Sequence, residues 1–211
     1  MTRRRLTASV LSGVLAVGLA ACGDSQDSGT GDRSVYEPTE SPSMAVTMID
    51  LPADYSTIEG AGFSIGVPGE FQQKRTQSSN GEPMLVLEKP SEVESLPQRV
   101  AIIRDVDPKA PASEQSFALE TSKAAAGPEA EAERSTVPSG DDDLEPAYLV
   151  TWKETRPSAD DRVEVTYWQL LQQVDDDLII NVVALAPSAE FDTSEVSKIL
   201  RTFVVDASSP A

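Results

Sequence analysis

Histidine is absent from all 211 residues, and cysteine occurs once, as Cys22. Without histidine the chain has no Ser-His-Asp or Cys-His nucleophile system and lacks the commonest protein ligand of zinc and copper. No Ser-x-x-Lys pair supplies a substitute base. A single cysteine cannot form an internal disulfide, so the fold must rest on its own core. Basic residues are also scarce: 17 Lys and Arg stand against 35 Asp and Glu, for a formal net charge of −18. A surface of that sign is repelled by phosphate backbones, which excludes nucleic acid as a partner class, and it gains nothing from anionic headgroups.

What is present begins with an address. Arg3, Arg4 and Arg5 precede an apolar stretch over about 6–21, the order of a charged n-region, an h-region and a small-residue cleavage site. At roughly 16 residues, interrupted by Gly13 and Gly18, the stretch is short of the ~18 to 20 needed to cross a bilayer. It closes on Leu19-Ala20-Ala21-Cys22, which resembles the lipobox of bacterial prolipoproteins. The resemblance implies diacylglyceryl transfer to the Cys22 thiol and cleavage between Ala21 and Cys22. The mature protein is then expected on the outer face of the cell membrane, held by its acyl chains. Two or three chains on one cysteine anchor stably where one alone is marginal. Losing residues 1–21 leaves 17 less three basic residues against 35 acidic ones, a formal −21.

Residues 23–43 are Gly, Ser, Asp, Thr and Pro with little apolar content, a composition that cannot offset the entropy of ordering. The expected organisation is a signal peptide at 1–21, a lipidated tether at 22–57, one domain at 58–206 and a disordered tail at 207–211. At about 5 to 6 Å times the square root of its length, such a tether spans on the order of 25 to 35 Å. Within it, the more apolar 44–51 (MAVTMIDL) reads as a docked edge segment.

In the domain, Phe63, Ile65 and Val67 alternate with Ser64 and Gly66 as a strand that Pro68-Gly69 stops. Segments 72–76 and 84–88 flank Asn80-Gly81 as a hairpin, and 99–105 adds a strand. Residues 113–126, with Ser113 as cap and Gly127-Pro128 as terminator, predict a helix. A weak strand at 133–137 and three stronger ones at 147–154, 163–174 and 178–186 predict an antiparallel meander. The last, with LIINVVAL over 178–185, should be a central strand covered on both faces. Asp192 as N-cap, Glu195 three residues on, and a Phe191 to Val196 staple open a final helix. Val196, Ile199, Leu200 and Phe203 form its core face. The fold class is therefore α+β, a single antiparallel sheet of six to eight strands with helices on its faces.

The opening GFSIGVPGEF (62–71), the long strand pair and the closing KILRTF (198–203) resemble PsbP-like domains, in particular the LpqN-type lipoproteins of high-GC Gram-positive bacteria. That resemblance implies an α/β/α sandwich and a non-enzymatic binding or accessory role in the cell envelope. Expected partners are the membrane, through the lipid, and another envelope protein or an amphiphilic envelope component. No cofactor, catalytic residue or metal ligand is expected.

Four patterns stand beside that reading. Gly62-Phe63-Ser64-Ile65-Gly66 fits G-x-S-x-G, but a nucleophile elbow needs a helix straight after the serine, and here Pro68-Gly69 breaks the chain. Asp141-Asp142-Asp143 with Glu145, Asp160-Asp161 and Asp175-Asp176-Asp177 lie in turns. The first and third of these turns emerge at one end of the meander, where carboxylates suit Ca²⁺ in an adhesion domain or, more simply, solvate the turns. Paired carboxylates beside Trp152 or Trp168 are the only route to a hydrolase, of the glycosidase kind. Tyr148, Val150 and Trp152 share one strand face and, with the mid-chain helix, outline an apolar pocket.

Overall fold

A computed structural model describes residues 46–93, 96–139, 144–158 and 162–206. The elements in chain order are β1 (Tyr55–Gly60), β2 (Phe63–Pro68), β3 (Gln72–Gln77), β4 (Pro83–Lys89), β5 (Gln98–Val106) and α1 (Ala112–Ala124). After a 3-10 turn at Pro128–Ala130 come β6 (Glu133–Val137), β7 (Ala147–Pro157), β8 (Arg162–Asp175), β9 (Leu178–Pro187), α2 (Ser188–Phe191), α3 (Val196–Arg201) and β10 (Val204–Val205).

The class is α+β and the pairing is antiparallel, but the strands divide between two sheets rather than forming one. Seven run in the order β3-β4-β5-β9-β8-β7-β6, while β1, β2 and β10 make a separate three-stranded sheet. The division has a physical cause. Strand alternation gives the large sheet two apolar faces, and α3 at six residues is too short to cover one of them. The small sheet supplies the missing cover: Phe63, Ile65, Val67 and Phe71 pack into one core with Leu85, Leu87, Val100, Ile102, Ile180 and Val182. Helix α1 covers part of the opposite face, over Val150, Trp152, Val165 and Tyr167. Between these covers β9 is the middle strand of seven, and Ile179, Ile180 and Val182 are fully buried on its two sides, as the LIINVVAL run predicts.

The folded unit starts before residue 58. Strand β1 begins at Tyr55, and its half-exposed YSTIEG pattern is too weakly apolar to read as a strand. Ahead of it, residues 46–51 pack against the domain, with Val46 and Met48 in the main core. The Ile49 N–H donates to the Arg201 carbonyl at 2.9 Å and Arg201 Nε to the Thr47 carbonyl at 2.7 Å. Gly66 permits the crossing, since a Cβ there would strike the Leu51 side chain. The Thr202 hydroxyl then reaches the strand, accepting the Gly66 N–H at 2.8 Å and donating to the Ile199 carbonyl at 2.7 Å. Residues 22–45 and 207–211 lie outside the described residues.

Both helix starts differ from the capping pattern. Pro111, not Ser113, is the N-cap of α1, and no side-chain cap bond is made within the segment. The buried Ala112 N–H donates to Gln173 Oε1 at 2.8 Å, and the Glu114 and Gln115 N–H groups donate to the Pro111 carbonyl, so the helix starts two residues ahead of Ser113. Asp192 does not cap the final helix either. A turn of helix, α2, comes first, and the Thr193 and Ser194 N–H groups return to the Glu190 carbonyl. Glu195 is pulled away from the backbone: Tyr55 donates its hydroxyl to Glu195 Oε2, and Lys198 binds Oε1 at 2.9 Å. The predicted apolar face survives these changes, because Phe191, Val196, Ile199, Leu200 and Phe203 are all buried.

Candidate functional site: an open acidic groove beside Trp168

Along β7 the odd-numbered residues, and along β8 the even-numbered ones, point to the side of the small sheet. Where that sheet ends, the face stays open. Thr151 and Lys153 from β7 and Glu164, Thr166 and Trp168 from β8 floor a groove of about 670 Å³. One wall is α2 and its exit, with Ser188, Ala189, Phe191 and Asp192; the other carries Glu131 and Glu133, at the start of the edge strand β6. The α2 wall is fixed at three places. Ser188 and Thr166 share a hydrogen bond between hydroxyls at 2.8 Å, and the buried Phe191 ring lies 5.2 Å from Trp168 at a tilt of 53°. Glu190 accepts the Glu92 N–H and the Gln98 side-chain amide at 3.1 and 3.0 Å, which ties α2 to the segment before β5.

The groove holds four carboxylates and one amine. Lys153 Nζ lies 2.8 Å from Glu131 Oε2 and 3.9 Å from Glu164 Oε1. The hydrogen bond to Glu131 raises its pKa above the ordinary lysine value, so Lys153 is a fixed cation and not a base. Glu133 and Asp192 form no ion pair among the described residues. The site is thus a shallow aromatic floor under net negative charge, and its hydroxyls at Thr166 and Ser188 are bonded to each other.

No family model and no curated protein matches the chain.

The predicted apolar pocket under α1 is filled. Trp152 stacks on Tyr167 with centroids 4.8 Å apart and planes within 6°, and Val150 is completely buried beside them. Above this pair Lys123 lies 4.7 Å from the Trp152 centroid and Arg156 lies 5.3 Å from that of Tyr167. Glu154 joins the group by accepting from Lys123, Trp152 Nε1 and Arg156 at 2.6, 2.9 and 2.9 Å. Burial alone would raise the Glu154 pKa, but these bonds outweigh it and hold the carboxyl below its ordinary value. Burial pushes the Tyr167 hydroxyl up to about 12. Arg134 plays the same part on the edge strand, stacked over Phe117 and Tyr148, with Nη1 donating to the Ser113 carbonyl at 3.0 Å. These contacts hold α1 down and leave Trp152 no free face for a sugar.

Of the other predicted features, Ala21, Cys22, Asp141 to Asp143, Asp160 and Asp161 lie outside the described residues. Asp175 to Asp177 are exposed in the β8–β9 turn, where Asp175 Oδ1 accepts the Asp177 N–H at 2.9 Å. Glu145 is also exposed, and its carbonyl accepts from Gln172, so it lies at the same end of the sheet as that turn. Among the described residues no group of three acidic side chains is arranged to hold a metal ion. Ser64 sits within β2, opposite Glu59 and Val204, and Pro68 follows in place of a helix, so the G-x-S-x-G string is no nucleophile elbow.

Strand alternation already places Trp168 with Thr166 and Glu164 on one face, and Lys153 with Thr151 on the adjacent strand. Nothing in the sequence foretells that α2 turns back to wall them in.

Proposed function

We propose that the protein is a surface lipoprotein, anchored through an acylated Cys22, whose single PsbP-like domain is a non-enzymatic binding module with the Trp168 groove as its ligand site. One observation carries the binding role: an open space within the ~300 to 1,000 Å³ typical of small-molecule sites, floored by an aromatic ring and left uncovered by a sheet sealed elsewhere on that face. A helix on each face of the large sheet, α1 on one and α3 on the other, supports the PsbP-like assignment. The lipobox string supports the anchor and the address at the outer face of the membrane.

The chemistry in the groove favours binding over turnover. It contains neither histidine nor cysteine, its amine is held protonated by Glu131, and Lys153 spans two of its four carboxylates. A calcium-stabilised adhesion role draws less support, since Asp175 spends a carboxylate oxygen on its own turn.

A screen of the purified mature chain against amphiphiles, glycans and esters tests the binding role. Saturable binding that Trp168→Ala removes is expected. Turnover abolished by Glu133→Gln or Glu164→Gln would overturn the non-enzymatic reading. For the anchor, Cys22→Ser should abolish acyl labelling and release the protein from membranes, and retention on the membrane would contradict it.

A further inference from the structure

Four aromatic rings on the α1 side carry the chain's own cations. Lys123 lies over Trp152, Arg156 over Tyr167, and Arg134 over both Phe117 and Tyr148. Trp168 is the ring that floors the open groove on the other side, and among the described residues no lysine or arginine stands over it. The groove around it is lined instead by four carboxylates, and among the described residues its one amine, Lys153, is taken up by Glu131 and Glu164. Glu133 on one wall and Asp192 on the other keep uncompensated charge, while Trp168, Phe191 and Ala189 offer apolar surface between them.

From this geometry we propose that the groove takes an organic cation, an amine or quaternary ammonium carrying an apolar body, with the cationic head over Trp168 between Glu133 and Asp192. This assignment rests on the groove being the ligand site. Each alternative class meets an obstacle. An anion would enter against the net charge of the groove. A neutral saccharide would draw Glu133 and Asp192 out of water with no countercharge, and unpaired charges are costly to desolvate. A cation supplies that countercharge and also gains the attraction of the ring face, which strengthens as the head group sheds water. The volume exceeds what one ammonium head fills, and the Phe191 and Ala189 wall lies where the apolar body would rest.

The test is calorimetric titration of the mature chain, at about 0.15 M salt to screen diffuse attraction, with four submicellar probes: octylammonium, octyltrimethylammonium, octyl glucoside and octyl sulfate. The two cations should bind at one site. Affinity should fall at least about ten-fold in Trp168→Ala and in the Glu133→Gln/Asp192→Asn double variant, the double variant with unchanged melting temperature. It should stay within about two-fold in Glu59→Gln/Asp176→Asn, which removes the same charge from exposed positions outside the groove. Octyl glucoside binding as tightly as the cations, and lost with Trp168→Ala, would overturn the cationic assignment while leaving the groove a binding site. Cation binding that both double variants weaken equally would mark diffuse attraction to an acidic surface and overturn the assignment. No Trp168-dependent binding of any probe would overturn both the assignment and the groove as ligand site.

Discussion

Toward the small sheet and α3, the seven-stranded sheet presents Leu85, Leu87, Val100, Ile102, Val182 and Leu170, closed by Phe63, Ile65, Ile199 and Leu200. Toward α1 it presents Trp152, Tyr167 and Val150, roofed by Lys123, Arg134 and Arg156 with Glu154 among them. The first face is held by area removed from water, which is non-directional. The second depends on stacking and charge-assisted hydrogen bonds, which need geometry. A protein with two tryptophans and 5% aromatic residues thus places its stacked Trp-Tyr pair under the helix whose own buried residues are only Ala112 and Ser116. The apolar face closes mainly by burial, with the Thr202 hydroxyl and the Tyr55–Glu195 bond as its polar ties, and its uncovered end is where the groove lies.

The largest effect separating the faces should come from Leu200→Ala. Leu200 is fully buried between α3 and the sheet, and its truncation should cost about 2 to 5 kcal/mol, read by urea denaturation. Arg134→Met comes next. It keeps the aliphatic stem but loses two ring contacts and the bond to the Ser113 carbonyl, for about 1 to 3 kcal/mol, with amide exchange rising first in α1.

Titration reads the α1 face through Glu154 and Tyr167. Glu154 has a folded-state pKa below the ordinary 4.5, so its stabilisation is present above that value and is lost as pH falls through the folded pKa. Glu154→Gln should therefore be less stable than wild type at neutral pH by about 1 kcal/mol, with the difference shrinking below pH 4.5. Tyr167 has the opposite sign. Its folded pKa is raised from 10.0 to about 12, so stability falls as pH rises across that interval, and Tyr167→Phe should lose less of it. The smallest effect belongs to the exposed turn: Asp176→Asn should change stability by no more than about 0.5 kcal/mol. Millimolar Ca²⁺ should not raise the melting temperature beyond Na⁺ at matched ionic strength.

Much of this architecture is legible in the sequence where periodicity is strong. The meander from β6 to β9, the central position of β9 and the core face of α3 follow from alternation and helical spacing alone. The partition into two sheets does not, because short turns tie consecutive strands into hairpins, while nothing local assigns the β1–β2 hairpin to a sheet of its own. Strand β1 escapes detection because its YSTIEG pattern is half-exposed and weakly apolar. The expected caps fail for different reasons: α1 starts two residues earlier, at Pro111, with the Ala112 N–H on Gln173, while Tyr55 and Lys198 engage Glu195. In the groove, Trp168 is visible as a candidate platform. Its acidic surroundings are drawn from β6, β8 and the α2 exit, and only the fold unites them.

The groove as ligand site is tested most directly by mapping backbone amide shifts of the mature chain while octylammonium is added. Saturable changes should be confined to Thr151, Lys153, Thr166, Trp168, Ala189 and Phe191, with the residues under α1 and the Asp175 to Asp177 turn unmoved. Shifts gathered under α1, or spread without saturation over the acidic turns, would contradict it.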